Sequence, residues 1–418
     1  MDTNQTIQLL RSVFAAGVAR ADPRQALASY LPEKPKGRCI VIGAGKASAA
    51  MAQAVERAWP DVAITGAVVV PYGHGAVTEN IDVLEASHPV PDTNSVEAAL
   101  RMVSLASEAK PDDLVLALIS GGGSSLLTLP DPRLNLADKI AVNKLLLKSG
   151  LTISQMNQVR RRLSAVKGGR LALAARGARV VTLLISDIPG DTPHDIASGP
   201  TVPAPDTDRD ISHVIAQLGS TLPKAAGELL REPPAPLPGF EADYRMIATP
   251  RMALEAASET AREAGITPII LGDALEGEAR DAGTLMAGIA TSASLHGSPA
   301  KPPVLLLSGG ETTVTIGSEQ PGRGGRNTEF LLALALALQG RENIFAFAGD
   351  TDGIDGSEDA AGAIITPDTL TRAATAGLDP RKMLARHDSY SLFNQLDDLI
   401  VTGPTLTNVN DLRGILVL

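Results

Sequence analysis

The sequence predicts an α/β protein of two domains, on three observations. Short apolar runs recur between helical stretches, the runs are continuously apolar rather than alternating, and one proline-rich stretch interrupts the pattern. The runs are CIVIG from 39, GAVVV from 66, LVLALIS from 114, VVTLLIS from 180, MIAT from 246 and PIIL from 268. VLLLSGG from 304, IFAFAG from 344, GAIIT from 362 and LIVTG from 399 follow. Continuous apolarity marks strands covered on both faces, and strands alternating with helices imply layers built on mainly parallel sheets. In REPPAPLPGF, residues 231–240, four prolines and a glycine forbid both helix and central strand. The stretch reads as the link between an N-terminal domain, residues 1–232, and a C-terminal one, residues 240–418.

Composition narrows the function. The chain has 418 residues and 44% hydrophobic content, enough for sizeable cores. Its 37 Lys and Arg against 47 Asp and Glu give a net charge of -10, which argues against a nucleic acid or an anionic membrane as main partner. An anionic ligand then requires local positive contacts. The opening MDTNQTIQLLRSVFAAGVARADP lacks the parts of a signal peptide and reads as an amphipathic helix. No stretch reaches membrane-spanning length without a charge or turn signal. The single cysteine, Cys39, excludes an intramolecular disulfide and a multi-cysteine zinc site, and reads as a buried small hydrophobe. A cytoplasmic location is expected. In PDTNSVEAAL, Asn94 with Glu97 three residues on forms a capping-box pattern.

In open parallel sheets ligands bind beyond the carboxyl ends of the strands, so the loops that follow strands are where chemistry is expected. Five stand out. In VIGAGKASAAMAQAVE, Gly43 and Gly45 permit a tight turn into a helix beginning near Ala47, whose free amides and Lys46 would face one anion. The spacing is not that of a Walker A loop. It is nearer to G-x-G-x-x-G/A, but Ser48 takes the third position and the next strand ends GAVVVPYGHG without an acid for a ribose hydroxyl, which disfavours a nicotinamide cofactor. In LISGGGSSLL, the amides of Ser120, Gly121, Gly122 and Gly123 with the hydroxyls of Ser124 and Ser125 suit a carboxylate or a phosphate.

LLISDIPGDTPHDIASGPTVP sets Asp187 at a strand end and Asp191 four residues later, a pair suited to Mg²⁺ or, singly, to accepting a hydroxyl proton. Asp195 reads as a turn former and His194 as a surface residue. In LLSGGETTVTIGSEQPGRGGRNTEFLLALALAL, Gly309, Gly310 and Glu311 follow a strand, and Arg323 and Arg326 precede a helix start that attracts anions. Of the two, Arg326 adjoins the helix. Finally, IFAFAGDTDGIDGSEDAAG carries Asp350, Asp352, Asp355, Glu358 and Asp359 where a strand surfaces. It fails the EF-hand spacing, and Asp350 and Asp352 read as holders of Mg²⁺ on a nucleotide, with Glu358 and Asp359 as a solvated helix start.

Taken together, GAGKAS, SHPVPD (87–92), SGGGSS, VKGGRLA (166–172), SDIPGD with ASGPTVP, LGDALEGEAR (271–280), SGGETTV, GRGGRN, AGDTDGIDG and TGPTLTNVNDL (402–412) resemble the glycerate 2-kinase family. These are the class II glycerate kinases, whose C-terminal half is the MOFRL domain. The resemblance covers about residues 5 to 415. It implies a Rossmann-like N-terminal domain facing a C-terminal α/β MOFRL domain across the active-site cleft, and ATP-dependent phosphorylation of D-glycerate at the 2-hydroxyl. It places the catalytic lysine on Lys46, the essential arginine on Arg326 and an acidic site residue on Asp187. Thr192 departs from the pattern, standing where relatives often carry a further acid.

The residue chemistry agrees, since phosphoryl transfer needs positioning and charge neutralisation more than covalent work. The cofactors expected are ATP and Mg²⁺. The partners expected are D-glycerate and ATP, with no nucleic acid, no membrane, and a homo-oligomer left open. Two rivals remain open at this stage, an NAD(P)H-dependent hydroxypyruvate reductase and a non-catalytic protein that binds a phosphorylated metabolite.

Overall fold

A computed structural model describes residues 1–175, 177–234, 237–317 and 320–418. They form two compact units, one of Pro23–Ile247 and one of Met1–Asp22 with Ala248–Leu418. The division differs from a single cut in the proline-rich stretch, of which Ala235 and Pro236 lie outside the described residues. Past that stretch the chain first supplies the strand Asp243–Ala248 to the sheet it is leaving, and the N-terminal helix Thr3–Ala21 packs with the C-terminal unit.

The first unit holds β1 (Cys39–Ala44), β2 (Ile64–Pro71), β3 (Ile81–Ala86), β4 (Leu114–Ile119), β5 (Arg179–Ile185) and β6 (Asp243–Ala248) in the order β3-β2-β1-β4-β5-β6. The ladders joining β1 to β2, β2 to β3, β1 to β4 and β4 to β5 are parallel. Every residue of β1 and β4 is buried, as their unbroken apolarity requires. Chain order reverses between β1 and β4, which makes the loops after these two strands the switch point of the sheet. Cys39 lies in β1, fully buried, and its thiol is pushed up to about 12 by burial, which makes it inert. β3 has no apolar run: as an edge strand it carries Asp82 and Glu85 on exposed positions.

Beside this sheet the helices Leu136–Lys148, Ile153–Arg162, Ser212–Leu218 and Lys224–Arg231 share a smaller core around Val142, Leu146, Val159, Leu163, Val214 and Leu229. The helix Thr93–Ser107 is capped by Asp92, whose carboxylate accepts from the Ser95 N–H, and not by Asn94. Asn94 sits inside the first turn and donates through Nδ2 to the Tyr72 hydroxyl and the Glu85 carbonyl.

The second unit holds β7 (Thr267–Gly272), β8 (Gly277–Glu278), β9 (Val304–Gly310), β10 (Thr312–Thr313), β11 (Ile344–Asp350), β12 (Gly362–Ile365), β13 (Leu399–Ile400) and β14 (Asp411–Val417). Its six-stranded sheet runs β13-β12-β11-β14-β9-β7, and only β7 with β9 is parallel there. The expectation of a mainly parallel sheet fails here, because unbroken apolarity reports covering on two faces and not direction. Val304, Leu306, Ala346, Ala348 and Ile415 pack on one side with the helices Ala279–His296 and Arg326–Leu338. Leu305, Leu307, Phe345, Phe347 and Leu416 pack on the other with Thr3–Ala21 and Pro250–Glu263.

Phe14 of the N-terminal helix meets Phe347 of β11 edge to face, with ring centroids 5.9 Å apart. Phe14→Ala should therefore cost about 3–5 kcal/mol in the unfolding of this unit, read by chemical denaturation. An unmoved midpoint would detach the helix from that core.

Candidate functional site

At the switch point of the first unit two glycine loops are stitched together. Gly45, at φ 136°, lets the chain turn out of β1 in a conformation that side chains rarely adopt. A Cβ there would also overlap Ser120 Oγ. The Lys46 N–H donates to the Gly121 carbonyl at 2.9 Å, the Ala47 N–H to Ser120 Oγ at 3.0 Å, and Ser48 Oγ to the Leu118 carbonyl at 2.9 Å. Ser48 thus spends its hydroxyl on β4. Gly43 and Gly123 lie where a Cβ would press on the Leu118 and Ala44 carbonyls respectively. Much of the glycine content therefore serves backbone approach rather than an open anion cradle. Lys46 itself is part-exposed, and a Cβ on left-handed Gly122 would lie 3.6 Å from its Cγ and 3.1 Å from His88 Nε2.

Ser124 Oγ pairs with Ser198 Oγ at 2.9 Å, and this joins the second glycine loop to the segment after β5. That segment holds Asp191, Ala197 and Ser198 at φ 50°, 51° and 61°, a region costly for residues other than glycine. A polar network fixes it. Ser198 Oγ donates to Asn157 Oδ1 at 3.0 Å, and Asn157 Nδ2 donates to Asp195 Oδ1 at 3.2 Å. Arg161, 1% exposed, donates to Asp195 and, from Nε and Nη2, to both oxygens of Asp208. Buried Lys167 donates from Nζ to the carbonyls of Ser124, Leu127 and Ala197 at 2.8, 3.2 and 3.4 Å, and burial pushes its pKa far down. Asp187 and Asp191 are part-buried on this braced segment, with Asp187 two residues beyond β5.

A cavity of about 170 Å³ lies against the SGGGSS loop. It is lined by Gly122, Ser124 and Ser125 together with His88, Lys139, Arg160 and Lys167. Lys139, 7% exposed, donates to the Arg160 and Leu163 carbonyls, and burial aided by Arg160 and Arg170 pushes it down to about 7. Sequence reasoning missed Lys139 and Arg160. Arg160 had one signal, the charged, apolar-poor helix ISQMNQVRRR, whereas Lys139 sits in the apolar-rich LADKIAVNKLLLK and had none.

The second unit answers why so many carboxylates follow β11. Asp355, 1% exposed, is not a metal holder: its carboxylate accepts from the N–H groups of Asn327 and Thr328 and from Thr328 Oγ1, and so caps the helix Arg326–Leu338. Gly325 must be glycine, because a Cβ would overlap that carboxylate. Glu358 pairs with Arg323, and Asp359 accepts from the Tyr390 hydroxyl at 2.6 Å. Asp350 has both oxygens engaged, Oδ2 by Arg326 Nη2 at 2.5 Å and Oδ1 by the Asp352 N–H at 2.9 Å; Asp352 Oδ1 accepts from the Ile354 N–H.

Arg326 is the hub of this cluster. Its Nε donates to both oxygens of Asp411, at 2.9 and 3.0 Å, and its Nη1 lies 3.4 Å from Glu311. Burial pulls its pKa down, but Asp411, Asp350 and Glu311 outweigh that and hold it raised. Asp411 also binds Arg413 at 2.5 Å. Arg413, 2% exposed in β14, takes the Gly309 and Gly310 carbonyls, so those glycines offer their oxygens inward to an arginine. Asp411 and Arg413 were not expected, since both lie in β14, a strand the sequence hides. Glu278 accepts from Thr313 Oγ1 and the Thr315 N–H and so braces the SGGETTV segment.

The expected metal holders divide between the units, Asp187 and Asp191 in one and Asp350 and Asp352 in the other. Among the described residues no group of three His, Cys, Asp or Glu is gathered as a metal site, and no helix is long and apolar enough to cross a membrane.

The comparisons with known proteins bear on both units. Residues 9–231 match a domain family described as of unknown function (DUF4147), and residues 304–411 match the MOFRL family. A protein of Agrobacterium vitis, provisionally named a hydroxypyruvate reductase, is 57% identical over 98% of this chain and 94% of its own. The D-glycerate 2-kinase of Thermotoga maritima is 38% identical over 98% of both chains. A solved glycerate kinase structure from Thermotoga maritima has a TM-score of 0.88 at 35% identity, covering 99% of this chain and 100% of the other.

Two outcomes follow from the geometry. Asp355→Ala should cost about 1–3 kcal/mol by leaving the buried donors of Asn327 and Thr328 unmet, read as a lowered unfolding midpoint. Lys139 gives a pH signature. Its folded pKa lies below its unfolded one, so between about 7 and 10 the unfolded chain binds more protons and stability rises with pH. The parent should gain up to about 1.4 kcal/mol per pH unit over Lys139→Met in that window and nothing below it, measured by denaturation across pH.

Proposed function

The chain belongs to the glycerate 2-kinase family, and from that premise we propose that it transfers the γ-phosphoryl group of ATP to the 2-hydroxyl of D-glycerate, giving 2-phosphoglycerate and ADP. The observation that carries the reading is the placement of Lys46. It stands part-exposed at the switch point of a sheet ordered β3-β2-β1-β4-β5-β6, its own N–H bonded to the loop that lines a small cationic cavity.

Each residue has a defined part in the proposal. The Lys46 ammonium binds a phosphate oxygen and neutralises charge as the bond to the leaving oxygen lengthens. The Arg326 guanidinium, oriented by Asp411 and Asp350, is the second cation assigned to the transferring group. Asp187 orients the 2-hydroxyl and accepts its proton. The SGGGSS segment, locked by Lys167 and Ser198, fixes the acceptor so that little freedom is lost at reaction. Mg²⁺ is a hard ion that takes one or two carboxylates, and Asp191 fits it by donor type, as Asp187 does in the rival role to proton acceptance. Asp350 and Asp352 share that donor type, and Asp350 already accepts from Arg326 Nη2 and the Asp352 N–H. When bound, Mg²⁺ supplies charge neutralisation on the ATP phosphates.

A second reading rests on the 57% identical relative that bears the hydroxypyruvate reductase name. Against it, Ser48 fills the third position of the glycine pattern with its hydroxyl bonded to Leu118, and β2 ends at Pro71 without an acid.

Two assays on one preparation decide between them: ADP formation from ATP with D-glycerate, and NADH or NADPH oxidation with hydroxypyruvate. The kinase reading expects ADP formation that requires D-glycerate, and Lys46→Ala lowering kcat by at least about 10²-fold with the thermal midpoint unmoved. A raised KM with kcat intact would make Lys46 a ground-state clamp. Nicotinamide oxidation with no ADP formation would replace the kinase by the reductase.

A further inference from the structure

Two neighbouring arginines on the helix Ile153–Arg162 are treated in opposite ways by the fold. Arg161 is given two carboxylates, Asp195 and Asp208. Arg160 is given neutral amides: Nη1 donates to Asn157 Oδ1 and Nη2 to Asn143 Oδ1, each at 3.1 Å. Burial alone pushes the Arg160 guanidinium down. Beside it the Lys139 ammonium donates to two backbone carbonyls, one of them that of Arg160 itself. Both side chains line the 170 Å³ cavity, whose wall among the described residues includes no Asp or Glu. A guanidinium half out of water with only neutral partners, beside a buried amine that burial makes reluctant to hold its proton, is costly, and an anion entering the cavity would offset that cost and favour the charged form of Lys139.

We infer that this cavity takes the carboxylate of the acceptor acid, with Arg160 as its principal anchor, Lys139 as the second charge and Ser125 and His88 on the wall. The inference rests on the kinase reading for the identity of the acid and deepens it by naming the residues that select a small carboxylate. Size separates the acid from the nucleotide. Pockets for drug-sized ligands span roughly 300–1,000 Å³. A cavity of 170 Å³ that opens to solvent has room for a three-carbon acid and would not enclose a whole nucleoside triphosphate. Lys167 lines the same space, but its ammonium is spent on three carbonyls, so it positions the loop and does not bind the acid. The apolar part of the wall, Val142 and Leu146, excludes water from around the ion pair and strengthens it.

The test is calorimetric titration of the full chain with D-glycerate and, separately, with ATP, for the parent, Arg160→Gln and Asn143→Asp. Asn143→Asp is the decisive variant. It keeps the acceptor of Arg160 Nη2 in place but gives that guanidinium an internal counter-charge, so the protein should hold or raise its thermal midpoint while losing its demand for an anion. D-glycerate affinity should fall at least tenfold in both variants, with ATP affinity within twofold of the parent. Unchanged D-glycerate affinity in Asn143→Asp, a loss confined to ATP, or a parent that does not bind D-glycerate would each overturn the inference. Binding is read without turnover, so the two claims fail separately. A parent that binds D-glycerate through this cavity yet forms no ADP leaves the inference standing and removes the kinase. Parent and Asn143→Asp enzymes that phosphorylate D-glycerate with the same KM for it do the reverse.

Discussion

A guanidinium or ammonium taken out of water costs several kcal/mol unless acceptors come with it, and the placement of this cost organises both units. Arg161 meets it with Asp195 and Asp208, Lys167 with three carbonyls, and Arg413 with Asp411 and the carbonyls at the end of β9. Each of these ties segments distant in the chain to one another, and the loops at the ends of the strands hold their shapes because of them. The left-handed Ala197 and Ser198 persist since Lys167 and Asn157 hold the atoms on either side. Where the fold leaves cations without carboxylates, around Lys139 and Arg160, a cavity lies beside them.

The same economy governs the carboxylates after β11. Five acids in one turn suggest an ion, yet the fold distributes them among an arginine hub, a helix start, a surface arginine and a tyrosine hydroxyl. Asp355 shows the principle most plainly: a helix N-terminus buried in the unit needs a negative partner, and the partner comes from a turn remote in sequence. Glycine follows suit. At Gly45 and Gly325 a side chain would strike Ser120 and Asp355, so glycine there makes room for a polar bond rather than for a ligand.

The strands legible in sequence are those that carry an unbroken apolar run: β1, β2, β4, β5, β6, β7, β9, β11, β12 and β13 each overlap one. β3 escapes because an edge strand admits Asp82 and Glu85, and β14 escapes because DLRGILV carries two charges whose compensation, Arg326 and the β9 carbonyls, exists only in the fold. The mixed direction of the second sheet was equally hidden, since covering on two faces looks the same in parallel and antiparallel strands. Site residues divide on the same line. Lys46 and Arg326 stand beside glycines next to helix starts, a local signal. Arg160 and Arg161 are indistinguishable neighbours in sequence, and only tertiary partners make one structural and the other available.

The measurement that bears most directly on the account is a ³¹P NMR time course of the purified protein with D-glycerate, ATP and Mg²⁺. The γ-phosphate resonance of ATP should decline as a single phosphomonoester resonance grows at the position of 2-phosphoglycerate. A resonance at the position of 3-phosphoglycerate, or ATP that stays intact, would contradict the account.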